Sequence, residues 1–224
     1  MTYYFGFTLP GDHQQQLDDL ITAHGQGSYS SSEEISRLAL LGVDGVVKVL
    51  ALDVIDILKG DQEGGSLLDL VARLVTSTMH VLLKQLLGKV SNPEQDKLAA
   101  YMLRRRVDAP QGRLFGYNMP DAAGQRLQKV LQQAIEQNAG EDAGDVRAEL
   151  INAMNLFIDL TTEKCYDEFA ACLDLGFVKR KLVDVSRGTI QKAGHSTVRK
   201  LITRISDEQI RAVSRHYQHM LLNF

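Results

Sequence analysis

Two cysteines in 224 residues are too few for a disulfide framework. Cys165 and Cys172 stand seven apart, which on a helix separates their Cα atoms by about 10 Å, too far to bridge. They read as buried, reduced thiols, which suits a reducing cytoplasm. Tryptophan is absent and there are 4 prolines, so few positions forbid a helix interior. The N-terminal Met-Thr-Tyr-Tyr-Phe-Gly has neither the basic region nor the apolar stretch of a signal peptide. No uncharged run of eighteen apolar residues occurs, and no membrane span is expected. No Walker loop, no dinucleotide fingerprint after a strand, no nucleophile elbow and no clustered Cys/His set is present. These absences point away from the common enzyme classes, and no cofactor is expected.

What the chain does contain is an echo of itself. Phe5-Gly6-Phe7-Thr8-Leu9-Pro10 returns as Phe115-Gly116-Tyr117-Asn118-Met119-Pro120, 110 residues later. Leu67-Leu68-Asp69-Leu70 returns as Leu182-Val183-Asp184-Val185 at an offset of 115, as does His80 at His195. One five-residue length change in a loop reconciles the two offsets. The expectation is an all-α fold, a tandem duplication of a four-helix unit packed as a pseudo-twofold bundle, with a short extended arm opening each repeat. The repeats would span residues 1–110 and 111–224 and share one globule. With 44% hydrophobic and 24% charged residues, the chain has enough apolar material for a sizeable core.

Helix signals carry the pattern. Asp12 precedes the first helix, and Ser30-x-x-Glu33 and Ser31-x-x-Glu34 both offer capping boxes for a second. That second helix places Ile35, Ala39, Gly42, Val43, Val46, Leu50, Val54 and Ile57 at helical spacing and is expected to end near Gly60. Ser66 opens a third, and Asn92-Pro93-Glu94 a fourth, to about Arg106. In the second half, helices are expected from Asp121 and, after a loop from Asn138 to Gly144, from Asp145. A further helix over 177–193 is weakened by Gly188, Gly194 is expected to break or bend the chain, and Ser206-x-x-Gln209 opens the last helix, to about Leu222. Thr2–Leu9 and Arg113–Met119 read as extended, either pairing with each other or, as short isolated segments favour, packing singly on the helices.

Three constellations are candidates for function. On the third helix Asp69, Arg73, Thr76, Ser77, His80 and Lys84 fall in one arc about 100° wide on an otherwise apolar helix. With their counterparts His195 and Arg199 this stripe gives the ligand-binding candidates His80, His195, Arg73, Lys84 and Arg199, groups suited to an anion in a cleft between the repeats. A phosphotransfer histidine would be followed by lysine and glycine at the third and fourth positions, and both histidines lack that pattern.

The second constellation is basic. Residues 177–204 hold eight cations against Asp184 alone, a surplus of seven in a chain of net charge −3. Lys179, Arg180, Lys181, Arg187, Lys192, Lys200 and Arg204 are the polyanion-binding candidates. The segment around Gly194 imitates a helix-turn-helix, but Lys200 stands where that motif needs an apolar residue. The third is weaker. His216-x-x-His219 and Glu163-x-x-x-Asp167 have ligand spacing, yet Arg211 and Arg215 crowd the histidines and Lys48 and Leu52 occupy the first-repeat positions, so no metal is assigned. Asp53 points toward apolar neighbours on its helix and calls for a partner among Arg104, Arg105 and Arg106.

The function expected is that of a non-enzymatic, cytoplasmic interaction or regulatory protein, with a protein partner or a second copy of itself. Two alternatives stand beside it. One is a ligand- or phosphate-responsive regulator using the cleft around His80 and His195. The other is a nucleic-acid-associated protein using segment 177–204. Whether the space between the repeats is filled or hollow separates scaffold from receptor.

Overall fold

The computed structural model describes residues 2–9, 11–58, 62–110, 112–136 and 143–224, and the side chains of 62–65 and 143 are not described. The expected helix stop at Gly60 and the loop residues up to 142 lie outside that set. The protein is mostly helical with a small four-stranded sheet.

The sheet is the first departure from the sequence reading. Strand β1 (Tyr3–Phe7) pairs antiparallel with β3 (Gly112–Met119), placing Phe5 opposite Tyr117 and Gly6 opposite Gly116. The edges are β2 (Arg106–Ala109), paired to β3, and β4 (Leu221–Asn223), paired to β1, giving the order β2-β3-β1-β4. The extended segments are therefore not single arms. Two short edge strands, each at the end of a helical pattern, satisfy the ladder groups that an isolated pair would leave to water.

Alternation along the two central strands sends Tyr3, Phe5, Phe7, Phe115, Tyr117 and Met119 into the core. Phe5 meets the edge of Phe157 with ring centroids 4.7 Å apart. The helix α6 (Asp121–Glu136) crosses Tyr3 at Gly124, where a Cβ would stand 2.3 Å from the ring.

In the first half, α1 (His13–Gly25) precedes α2 (Ser32–Val47). Of the two capping candidates Ser31 is the one used, its Oγ accepting from the Glu34 N–H at 3.1 Å. A π-helical turn (Lys48–Leu52) leads into α3 (Asp53–Ile57), followed by α4 (Gln62–Leu86) and α5 (Asn92–Arg104). Ser91, not Asn92, caps α5, in a capping box with Glu94.

In the second half, α7 (Ala143–Thr161) runs through a second π-helical turn (Thr162–Asp167) into α8 (Glu168–Ala170). The helices α9 (Phe177–Arg204) and α10 (Asp207–Met220) complete it, the latter opened by the Ser206/Gln209 box. Here is the second departure: α9 is continuous through Gly188 and Gly194. A Cβ at Gly194 would lie 3.1 Å from two Ile158 carbons, so this glycine brings α9 close to α7 instead of breaking it.

A π turn adds one residue to the helix and rotates everything after it. That explains Asp53. Its carboxylate takes Lys48 Nζ at 2.5 Å, five residues back, and none of Arg104, Arg105 or Arg106. Those arginines serve other carboxylates: Arg105 binds Glu168 at 2.9 Å, with Arg104 beyond at 3.9 Å, and Arg106 binds Asp108. The widened turns also free main-chain carbonyls. His216 Nε2 donates to Val49 O and Tyr217 Oη to Leu50 O, both at 2.9 Å, and Tyr101 Oη donates to Cys165 O at 3.1 Å.

Candidate functional site: an apolar cavity behind two outer helices

The interior is not filled between α2, α4, α7, α9 and α10. A cavity of about 250 Å³ lies there, lined almost wholly by aliphatic and aromatic side chains. On α2 its wall includes Gly42, Val43 and Val46; on α4, Val71, Val75 and Met79; on α9, Ile190, Gly194 and Val198. A Cβ placed on Gly42 would meet no heavy atom within 4 Å.

The polar groups of the wall are almost all committed elsewhere. Thr161, Thr162 and Thr197 each return their hydroxyl to a carbonyl one turn back. Tyr166 Oη donates to Val183 O at 2.8 Å, and Tyr101 and Tyr217 hold the π-turn carbonyls. Burial pushes these three phenols above the usual tyrosine range, so they stay neutral. Burial likewise pushes the Cys165 thiol up to about 12, only partly offset by Arg105. The exception is Ser214. It is 1% exposed, it borders the cavity, and its Oγ has no hydrogen-bond partner among the described residues.

Magnitude decides what such a space means. Close-packed interiors hold few voids larger than a water molecule. The space of about 250 Å³ is open on one side, and its aliphatic and aromatic walls are left without packing partners, a loss of contact that grows with the volume left unfilled. An apolar ligand removes that penalty, while water would find too few polar partners there.

The residues singled out from sequence stand elsewhere. His80 Nε2 meets Asp44 Oδ1 at 2.9 Å, and His195 Nε2 meets Asp159 Oδ1 at 2.9 Å, each pair 36 residues apart. Both imidazoles are part-exposed and neither borders the cavity. Arg73 pairs with Asp69 at 2.9 Å, and Lys84 and Arg199 face solvent. The two imidazoles make two separate, equivalent His–Asp contacts, tying α2 to α4 and α7 to α9.

Within the basic set, Arg187 is taken: its Nε binds both Asp167 oxygens, at 2.9 and 2.7 Å, and its Nη1 donates to Gln191, which in turn reaches Asp159. Lys179, Arg180, Lys181, Lys192 and Lys200 are exposed along α9, and Arg204 closes it. The carboxylates Glu163 and Asp167 face Lys164 and Arg187, and His216 is spent on Val49. Among the described residues no group of three or more His, Cys, Asp or Glu side chains converges on a point.

Gly42 stands among the helically spaced core positions with no function assigned to it, and Ser214 is not singled out by the sequence. A glycine at a core-facing helical position was the available signal, because such a site normally carries a side chain. Comparison with known protein families, with curated proteins and with solved structures gives no match.

Proposed function

We propose that this protein is a non-enzymatic binding protein whose central cavity holds an apolar small molecule. The observation that carries the reading is the hollow itself: about 250 Å³ of partly open space with almost wholly apolar walls that an apolar ligand would cover. A dry cavity of about 150 Å³ lined by Leu, Ile and Phe accepts benzene, which scales to roughly ten heavy atoms here. Ser214 Oγ supplies one hydrogen-bonding group, which favours a chain ending in a single hydroxyl or carbonyl over a charged ligand. Linear medium-chain alcohols fit that description.

The architecture proposed for this receptor is the duplicated, pseudo-twofold one. Supporting it, the β1–β3 register sets Phe5 opposite Tyr117 and Phe7 opposite Phe115, the pairing that an offset of 110 maps onto itself. An offset of 115 relates His80–Asp44 to His195–Asp159 and the Leu50 carbonyl to that of Cys165. On this reading the cavity lies between the two repeats, and the two π turns flank it.

The test is titration with decan-1-ol, read by thermal melting and native mass spectrometry. The expected result is a one-to-one adduct and a melting temperature that climbs with ligand concentration, since a ligand at a hundred times its Kd adds about 2.7 kcal/mol. Absence of both adduct and shift up to the solubility limit would reject the reading.

A further inference from the structure

The outer side of the same two helices has an unusual composition. Over Ser66–Leu86 an 18-residue window has a mean hydropathy of 1.4, long and apolar enough to cross a membrane by length and composition alone, yet 28% of it is buried. Leu70, Leu74 and Val81 are 65%, 43% and 57% exposed. Against α4 lies α9, which exposes Phe177 at 83%, Val178 at 80% and Val185 at 60%. Scattered apolar residues on a surface need no account, but this set gathers on two packed helices.

Charge is gathered there too. With Arg187 held by Asp167, the exposed cations of α9 are Lys179, Arg180, Lys181, Lys192, Arg199, Lys200 and Arg204, against Asp184. At about 100° per residue, Lys181, Lys192 and Arg199 fall within about 20° of one another, with Val178 and Val185 about 20–60° to one side and Phe177 about 40–60° to the other. A row of cations beside exposed apolar side chains is how interfacial helices meet anionic lipid.

We propose that the outer face of α4 and α9 docks on the surface of an anionic membrane, Phe177 and Val178 entering the headgroup boundary while the lysines and arginines meet lipid phosphates. Charge selects this occupant. A second copy would bring like charges together, and a nucleic acid would leave the exposed leucine, valine and phenylalanine side chains without a role. The inference extends the reading of the cavity, because Val71, Val75, Ile190 and Val198 of the same helices border it and only one helix thickness, about 10 Å, separates it from the docked surface.

The experiment is co-sedimentation of the full chain with vesicles of phosphatidylserine and phosphatidylcholine, against phosphatidylcholine alone, over a salt series. Binding is expected on the anionic vesicles and should fall as salt rises. Lys181→Gln/Lys192→Gln/Arg199→Gln should weaken it about tenfold or more, and Phe177→Ser/Val178→Ser should weaken it comparably, with the melting temperature unchanged in both. Decan-1-ol binding by these variants should match the parent protein, which keeps failure of the docking face distinct from failure of the cavity. No binding to anionic vesicles at low salt would overturn the proposal. So would equal binding to duplex DNA that ignores Phe177→Ser/Val178→Ser, or a dimer that Leu70→Ser/Leu74→Ser dissolves.

Discussion

A methyl group added at Gly116 would stand 2.0 Å from the Phe5 carbonyl oxygen; one added at Gly42 would meet nothing within 4 Å. The two glycines mark two unlike parts of one interior. At the sheet, Phe5 packs against both Tyr117 and Phe157, and even the backbone leaves no room for a side chain at Gly116. Between α2, α4, α7 and α9 the same chain leaves a space of about 250 Å³. A sequence able to pack one part so densely is not short of bulky residues. The hollow is therefore a local feature, bordered by Gly42 on α2, where no side chain reaches in, while at Gly194 the packing of α9 on α7 stays tight.

Substitutions in the packed part should have the largest effects. Gly116→Ala forces a Cβ into the Phe5 carbonyl, and the central strand pair must separate to admit it. A loss of about 3 kcal/mol or more is expected in urea unfolding, at the large end of single-residue effects. An unchanged midpoint would show that the sheet centre yields, and the contrast between the two parts would disappear. Glu168→Gln should cost about 3 kcal/mol, because it strips the carboxylate from Arg105. Arg105 is 4% exposed, and its Nε and Nη1 have no hydrogen-bond partner among the described residues. Adding Arg105→Met to Glu168→Gln should recover part of the loss; no recovery would mean that Glu168 acts through Lys164 instead.

The hollow part should behave in the opposite sense. Gly42→Ala enters open space on a helix and should raise stability by about 1 kcal/mol, the usual preference of a helix for alanine. A destabilised variant would mean that the space closes in solution.

Much of the helical pattern is legible in the sequence. Ser31 and Ser206 both cap their helices, Ser206 in the full box with Gln209, and the apolar spacing of α2, α6 and α7 points inward. What was not legible has identifiable physical causes. The strands β2 and β4 are four and three residues long and sit at the ends of helical patterns, so pairing with distant partners, not local preference, makes them strands. The π turns left a trace only as the misplaced Asp53. Gly194 looked like a breaker because sequence shows the missing side chain and not the Ile158 that comes close to it. A cavity is a deficit of volume spread over five helices, and no spacing rule records it. His80 and His195 were conspicuous because polar groups on an apolar helix stand out, yet the space behind them belongs to other residues.

Glu94, in the α5 capping box and remote from both the sheet centre and the cavity wall, provides a smaller, pH-dependent check. Burial raises its pKa, but hydrogen bonds from the Ser91 hydroxyl and from the Ser91 and Asp174 N–H groups, with Lys179 nearby, hold it below the usual carboxylate range. A depressed folded-state pKa adds stability above the unfolded value, and that stability is lost as pH falls through the folded one. Glu94→Gln should therefore cost about 1 kcal/mol at neutral pH, a typical capping contribution, and the gap should close in acid below the carboxylate range. A gap that persisted there would assign the effect to packing. The smallest effect expected is on Cys165 at the cavity wall. With its thiol pushed up to about 12, alkylation by iodoacetamide at pH 8 should be negligible until the protein unfolds.

The most direct measurement of the central claim is isothermal calorimetry of decan-1-ol binding over a range of temperatures, for the parent protein and for Gly42→Leu. If the hollow is the binding site, the parent binds one equivalent with a negative heat-capacity change, the mark of apolar burial. Gly42→Leu, with the added side chain occupying the space, should then fold at least as stably and bind nothing. Saturable binding of undiminished affinity to Gly42→Leu, or no binding to either protein, would contradict the account.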